Sequence, residues 1–164
     1  YLTPISYDDT DDIVRWRNKE IVRDCFIYRA TFTREGHESW MKNMIETGKC
    51  VQFIIWEKST NEKVGSVYIR DIDYENKKGE FGIFIGEEEK LSLGYGRQAA
   101  ELIVKYAFEE LCLYKVFLRV LANNERAYRS YLKAGFEKEG IFKADVWVDG
   151  IPIDVIFMAR FNKN

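Results

Sequence analysis

The spacing of apolar residues changes period several times along the chain, and each change predicts an element. Residues 2–7 read as a first strand, and the acidic run 8–12 as a turn with helix-starting acids. Ile13, Val14 and Trp16 predict a short helix that carries Arg17 and Asn18, and residues 21–29 a second short helix or irregular piece. Thr33 can cap another helix, in which Trp40, Met41, Met44 and Ile45 recur at helical spacing before Gly48 ends it. Three strand-like runs follow at 51–58, 64–72 and 79–85, separated by polar turns at 59–62 and 73–78.

The longest helical stripe comes next, with Ala100, Ile103, Val104, Ala107, Phe108 and Leu111 on one face. Lys115–Leu121 mixes its apolar residues so as to predict a strand buried on both faces. A helix over 125–134 stops at Gly135, a strand covers 136–147, and Asp149-Gly150 marks a tight hairpin into a last alternating strand. Strands and helices in this order predict an α+β (mixed α/β) domain. Its sheet has six to seven mostly antiparallel strands, with hairpins at both ends and helices on both faces. At 164 residues the chain reads as one domain, 1–164, long enough to bury a full core.

The run from Gly86 to Ala100 carries the first chemical signal. A strand enters a turn containing Gly94 and Gly96, and the turn opens the long helix. That order aims unpaired backbone N–H groups and the positive end of a helix dipole at one point, a site for phosphate or diphosphate. It is no P-loop, because no Lys-Ser/Thr follows Gly96. Gly94-Tyr95-Gly96-Arg97-Gln98-Ala99 satisfies the dinucleotide fingerprint in letters, yet the acid expected about twenty residues on is missing near Val116 and Phe117.

Composition removes several classes. A net charge of -2 lacks the basic footprint of a general nucleic-acid binder. There is no apolar run of membrane-spanning length and no signal-peptide pattern, so neither nucleic acid nor membrane is an expected partner. Cys25, Cys50 and Cys112 are odd in number and far apart, which fits reduced thiols and a cytoplasmic location. No pair has metal-ligand spacing and His37 is the one histidine, so no metal site is expected.

Two runs together resemble the GNAT acetyltransferases. Leu91-Ser-Leu-Gly94-Tyr95-Gly96 resembles their acyl-coenzyme A loop, Gln/Arg-x-x-Gly-x-Gly/Ala, with Leu91 replacing the usual polar residue. Asn124-Glu-Arg126-Ala127 through Tyr131, Lys133 and Gly135-Phe136 resembles the family's Asn-x-Arg-Ala…Tyr-x-Lys-x-Gly-Phe run. Glu137-Lys-Glu139-Gly140 and Asp149-Gly150 are similar to the RimJ/RimL-like branch. The resemblance implies a parallel strand pair, 80–85 and Lys115–Leu121, splayed in mid-sheet to receive the pantetheine arm of acetyl-CoA. Phe84 and Ile85 then lend backbone to the arm, and Leu91, Leu93, Gly94, Tyr95, Gly96 and Arg97 form the diphosphate loop. Asn124 anchors the arm, and Arg126 and Arg129 are placed to neutralise the terminal phosphate. Tyr131 is implied as proton donor to the departing thiolate, and Glu80 as base, directly or through a water.

The acceptor side is expected from the N-terminal helices and last hairpin, which are rich in aromatics. Val14-Arg-Trp16-Arg17-Asn18 and the run from Thr33 through His37 to Trp40 resemble amino-sugar N-acetyltransferases of the pseudaminic-acid pathway type. That resemblance points to Trp16, Arg17 and His37 as acceptor-binding residues, the aromatic character of this half adds Tyr28, and a small-molecule amine, above all a nucleotide-linked amino sugar, is the expected acceptor. Alternatives are a protein N-terminus, a polyamine or an antibiotic, with acidic residues at 8–12 and 87–89 available to line a groove for a cationic acceptor. A coenzyme A-binding sensor without catalysis is the non-enzymatic alternative. A homodimer through the final hairpin or an edge strand is the one protein partner expected.

Overall fold

A computed structural model describes residues 1–163. Among them the alternating segments form strands β1 (Leu2–Pro4), β2 (Cys50–Glu57), β3 (Glu62–Asp73), β4 (Lys78–Ile85), β5 (Lys115–Leu121), β6 (Glu137–Val148) and β7 (Ile151–Phe161). They make one sheet in the order β1-β2-β3-β4-β5-β7-β6. Every neighbouring pair is antiparallel except β4 and β5. The helices are α1 (Thr10–Asn18), α2 (Glu20–Arg23), α3 (Arg34–Trp40), α4 (Tyr95–Glu109) and α5 (Glu125–Lys133).

Adjacent residues of a strand face opposite sides, and the sheet uses this to build two cores. Ile55, Val67, Ile69 and Phe81 join the α4 stripe of Ala100, Ile103, Val104 and Ala107 on one face. Ile54 and Phe84 join Ile13, Trp16, Val22 and Met41 from the N-terminal helices on the other. Each fully buried Ile or Val contributes about 1.5–3 kcal/mol, so the α4 stripe holds that helix, and the turn before it, firmly on the sheet.

Several local expectations are met by recognisable chemistry. Thr33 Oγ1 accepts from Gly36 N at 3.1 Å and caps α3, while the predicted continuation becomes a π-helical turn over Met41–Ile45. Asp149 and Gly150 both take positive φ, 51° and 77°, as the tight β6–β7 hairpin requires. The first strand is shorter than predicted, because the Asp9 carboxylate accepts from Ser6 N at 2.8 Å and starts a 3₁₀ turn at Tyr7–Asp9.

One expectation is corrected. Val116, Leu118 and Val120 of β5 are buried, but Arg119 between them is exposed on the opposite face. The N-terminal helices pack over β2–β4 and stop short of β5, so its second face borders an open cleft. At the far edge, β6 pairs only with β7 and leaves Phe142 and Trp147 exposed.

Candidate active site

β4 and β5 pair only at Lys78–Lys115, Gly79–Val116 and Glu80–Phe117. Beyond Glu80, β4 continues to bond β3 and β5 continues to bond β7 on their outer edges. Their facing edges therefore separate and present unpaired peptide groups to the gap. Tyr131, on α5, stands at this opening, edge-on to Phe81 at 5.7 Å and to Phe136 at 6.0 Å between ring centroids. Its hydroxyl makes no hydrogen bond among the described residues, and burial, with Tyr68 adding to it, pushes its pKa up, so the phenol stays protonated.

The glycine turn lies at one end of the same cleft. Gly94 caps α4 with φ 93°, a conformation that suits glycine. A Cβ at Gly96 would meet nothing within 4 Å, so the backbone there is open to a ligand. The first helical bond is Gln98 N to Gly94 O, leaving the N–H groups of Tyr95, Gly96 and Arg97 without helical partners. The turn is anchored from behind through Glu57. Lys90 and Tyr95 both donate to its carboxylate, and these bonds, Lys90's first, hold its pKa at about 2. These are the features a diphosphate requires, and the residues present fit the acetyl-CoA expected there.

The predicted loop residues divide by role. Leu91, Gly94, Gly96 and Arg97 line the cleft. The Leu93 side chain is exposed and Tyr95 turns back to Glu57, so both offer the site their backbone. Phe84 and Ile85 border the gap, with the Phe84 ring against Trp16 and Phe26. Asn124 caps α5, its side-chain oxygen accepting from Ala127 N at 3.2 Å, which leaves its NH₂ for a ligand. Arg126 lines the cleft, while Arg129 is ion-paired with Glu125.

Glu80 stands where the strands part, only 7% exposed. Its Oε1 accepts from Arg119 Nε at 2.8 Å, and its Oε2 from Arg70 Nε and Nη2 at 3.2 and 3.1 Å and from Arg119 Nη2 at 3.4 Å. Both oxygens are therefore committed to guanidinium donors. Beside this trio lie Tyr68 and Gln52, directly paired across β2 and β3. Gly82 makes room for the Tyr68 ring, which a Cβ there would approach to 2.2 Å.

The acceptor residues named by resemblance part company. Trp16 is corrected to core: it is fully buried, its indole N–H donates to Glu87 Oε1 at 2.6 Å, and it is absent from the cleft wall. Arg17, Tyr28 and His37 do line the cleft. Tyr28 is 66% exposed and edge-on to Phe32 at 6.5 Å. His37 is buried, its Nδ1 3.1 Å from Thr10 Oγ1 and its ring stacked on Trp40. Burial lowers its pKa, so the ring is neutral at pH 7.

The acidic clusters also serve elsewhere. Asp9 and Asp12 bind Lys63 at 2.8 and 2.9 Å, and Asp11 pairs with Arg34. Glu87 takes Arg15 at 2.8 Å and Lys19 at 2.6 Å. None of these acids lines the cleft.

Tyr68, Arg70, Arg119 and Gln52 were not singled out from the sequence. A signal was present: Ser66, Tyr68 and Arg70 alternate along β3, placing one polar row on the face beneath the N-terminal helices. The cleft that joins all these groups is continuous, about 1180 Å³, from the glycine turn through the strand gap to Thr31 and Trp40.

A glycine-capped helix beside a parted parallel pair is an arrangement suited to an acyl-thioester carrier, and the chain belongs to the acetyltransferase (GNAT) domain family, whose model matches residues 1–137. A spermidine N(1)-acetyltransferase of Escherichia coli K12 is 35% identical over 100 residues, 61% of this chain and 53% of that protein. The chain thus spans about half the length of the curated relatives it matches first. The N-acetyltransferase p20 of Bacillus licheniformis is 25% identical across 99% of this chain and 92% of its own length. The crystal structure of spermidine N-acetyltransferase from Vibrio cholerae, in complex with CoA and spermine, superposes with TM-score 0.91. That superposition covers 98% of this chain and 94% of that one at 22% identity, and supports the fold.

Proposed function

We propose that the protein transfers the acetyl group of acetyl-CoA to a small-molecule primary amine by direct attack in a ternary complex. The observation that carries this reading is the alignment, in one cleft, of a glycine-capped helix start, two unpaired strand edges and a free, protonated Tyr131. Acetyl-CoA supplies an activated thioester when bound. The N–H groups of 95–97 hold its diphosphate, the edges of β4 and β5 with the Asn124 amide hold its arm, and Arg126 faces its outer phosphate. Tyr131 is placed to hydrogen-bond the sulfur and to give it a proton as the thiolate leaves. Leu91 removes one side-chain contact from the loop without touching the backbone donors. Glu80, in this reading, fixes Arg70 and Arg119 in place, and the proton lost by the attacking amine passes through water to the Tyr131 phenolate and restores the phenol.

A polyamine acceptor is the second reading, favoured by the E. coli spermidine N(1)-acetyltransferase. The exposed β6 edge with Phe142 and Trp147 supports the expected homodimer. The test combines thermal stabilisation by coenzyme A with thiol release from acetyl-CoA across amines. The panel includes spermidine, a nucleotide-linked amino sugar, an aminoglycoside and a peptide N-terminus. Stabilisation with amine-dependent release supports an enzyme, and stabilisation without release by any amine supports the sensor. Stabilisation by NAD alone would sink both.

A further inference from the structure

Arg17 is 7% exposed, yet no carboxylate among the described residues pairs with its guanidinium. Its one hydrogen bond, from Nη2 to the Tyr28 carbonyl, is long at 3.4 Å, and Nη1 has no partner. The rings of Phe26 and Phe32 cover it, with centroids 3.5 and 4.5 Å from Cζ. Cation–π attraction offsets part of the lost hydration, but it leaves in-plane N–H groups unmet. Burial pushes the Arg17 pKa down; Tyr68 opposes this, and the nearby charge of Arg70 adds to it. If packing between two rings were its whole role, an uncharged side chain would do it without the cost of a buried, unpaired charge.

The charge balance of the cleft points the same way. Its acidic lining side chains are Glu80 and Glu125, and each is already bound to arginine. No uncommitted carboxylate among the lining residues remains to receive a polycationic chain. The one other buried side-chain atom without a partner among the described residues, His37 Nε2, belongs to the same half of the cleft.

We propose that the acceptor amine carries an acidic group, a carboxylate or a phosphate, which Arg17 binds within the cleft, so that purely cationic polyamines are poor acceptors. The planar guanidinium fork matches either anion in two-point geometry, and its aromatic sandwich fixes the fork before the ligand arrives. This inference rests on the acetyl-transfer reading and assigns the substrate class to that same site.

The test uses matched amines on the protein saturated with coenzyme A: phosphoethanolamine against ethanolamine, β-alanine against propylamine, and spermidine as the cationic arm. Melting temperature reports binding to the coenzyme A complex, and thiol release from acetyl-CoA reports turnover. The acidic members should raise the melting temperature where their neutral partners do not. Their kcat/KM should be higher by about 10- to 100-fold, the worth of a charged hydrogen-bonded contact. Arg17→Met should erase the preference while keeping the stabilisation by coenzyme A, and Arg17→Lys should restore part of it. Whether the phosphate or the carboxylate pair shows the larger difference identifies the anion. Equal behaviour within both pairs, nil response included, overturns the proposal, as does spermidine as best acceptor or a preference surviving in Arg17→Met. Failure of coenzyme A to stabilise the wild-type protein is a separate result, which overturns the acetyl-transfer reading itself.

Discussion

Replacing Glu80 by Gln separates two jobs that a carboxylate at this position can do. The native carboxylate accepts four hydrogen bonds at 2.8–3.4 Å from Arg70 and Arg119. An amide of the same shape keeps one acceptor oxygen and turns an NH₂ toward guanidinium donors, while two like charges lose their shared counter-ion. Breaking a buried ion pair from one side costs about 3–5 kcal/mol. The Arg70 and Arg119 side chains are 39% and 33% exposed, so solvent screening lowers this to about 2–4 kcal/mol. For a domain of this size that is a fall of about 5–15 °C in melting temperature. Calorimetry on Glu80→Gln, with the pH dependence of kcat/KM on the same samples, reads both quantities. A clamp predicts the drop in stability and an unchanged position of the acidic limb in the residual activity. An unaltered melting temperature, with activity gone and the acidic limb abolished, would refute the clamp and restore Glu80 as the base.

Three further substitutions probe the remaining parts of the site. Tyr131→Phe should lower kcat by about 10²–10⁴-fold, the range of a lost general acid, with the fold intact because the hydroxyl bonds nothing among the described residues; a kcat within twofold of wild type would remove its catalytic role. Gly94→Ala should cost about 1–2 kcal/mol through its left-handed φ and, by turning the following N–H groups, weaken coenzyme A binding in titration calorimetry; unchanged affinity would mean that the diphosphate lies elsewhere. Glu87→Gln should cost about 1–3 kcal/mol as one acceptor of the Arg15, Trp16 and Lys19 donors is lost. Desolvation would raise the Glu87 pKa, but those hydrogen bonds outweigh it and hold the carboxyl at about 2, below its ordinary 4.5. A depressed carboxylate pKa stabilises the fold fully above about pH 4.5, and the contribution disappears as pH falls from there toward 2. The acid-unfolding curve of Glu87→Gln should therefore be flatter in that window, and an identical curve would refute the assignment.

The half of the site proposed for the carrier was legible as structure because its determinants are local. A glycine that must take positive φ, the helix it caps and the stripe that seats the helix are all consecutive in sequence, as are Asn124 and Tyr131 on α5. The parting of β4 and β5 is less local, since it depends on each strand finding a different outer partner, and the resemblance supplied it. Trp16 was misread for a related reason. An aromatic in a surface helix looks the same in sequence whether it faces a ligand or the sheet, and only the approach of Glu87 and Gly86 from the end of β4 decides it.

The acceptor half illustrates how charge becomes informative only after folding. In the chain Arg17 is one of 25 basic residues against 27 acidic ones, marked by a short resemblance and not by its charge. Folding lays Phe26 and Phe32 over its guanidinium and sends Asp9 and Asp12 to Lys63 and Asp11 to Arg34. Glu80 and Glu87 go to other cations. None of these pairings supplies a carboxylate to Arg17, and of the acids named only Glu80 lines the cleft. A near-neutral chain thus encloses a cleft in which the buried Arg17 charge has no carboxylate partner among the described residues. If Arg17 is the acceptor contact we propose, acceptor choice follows from which buried charge the N-terminal helices leave unpaired, and Arg17→Met tests that dependence directly.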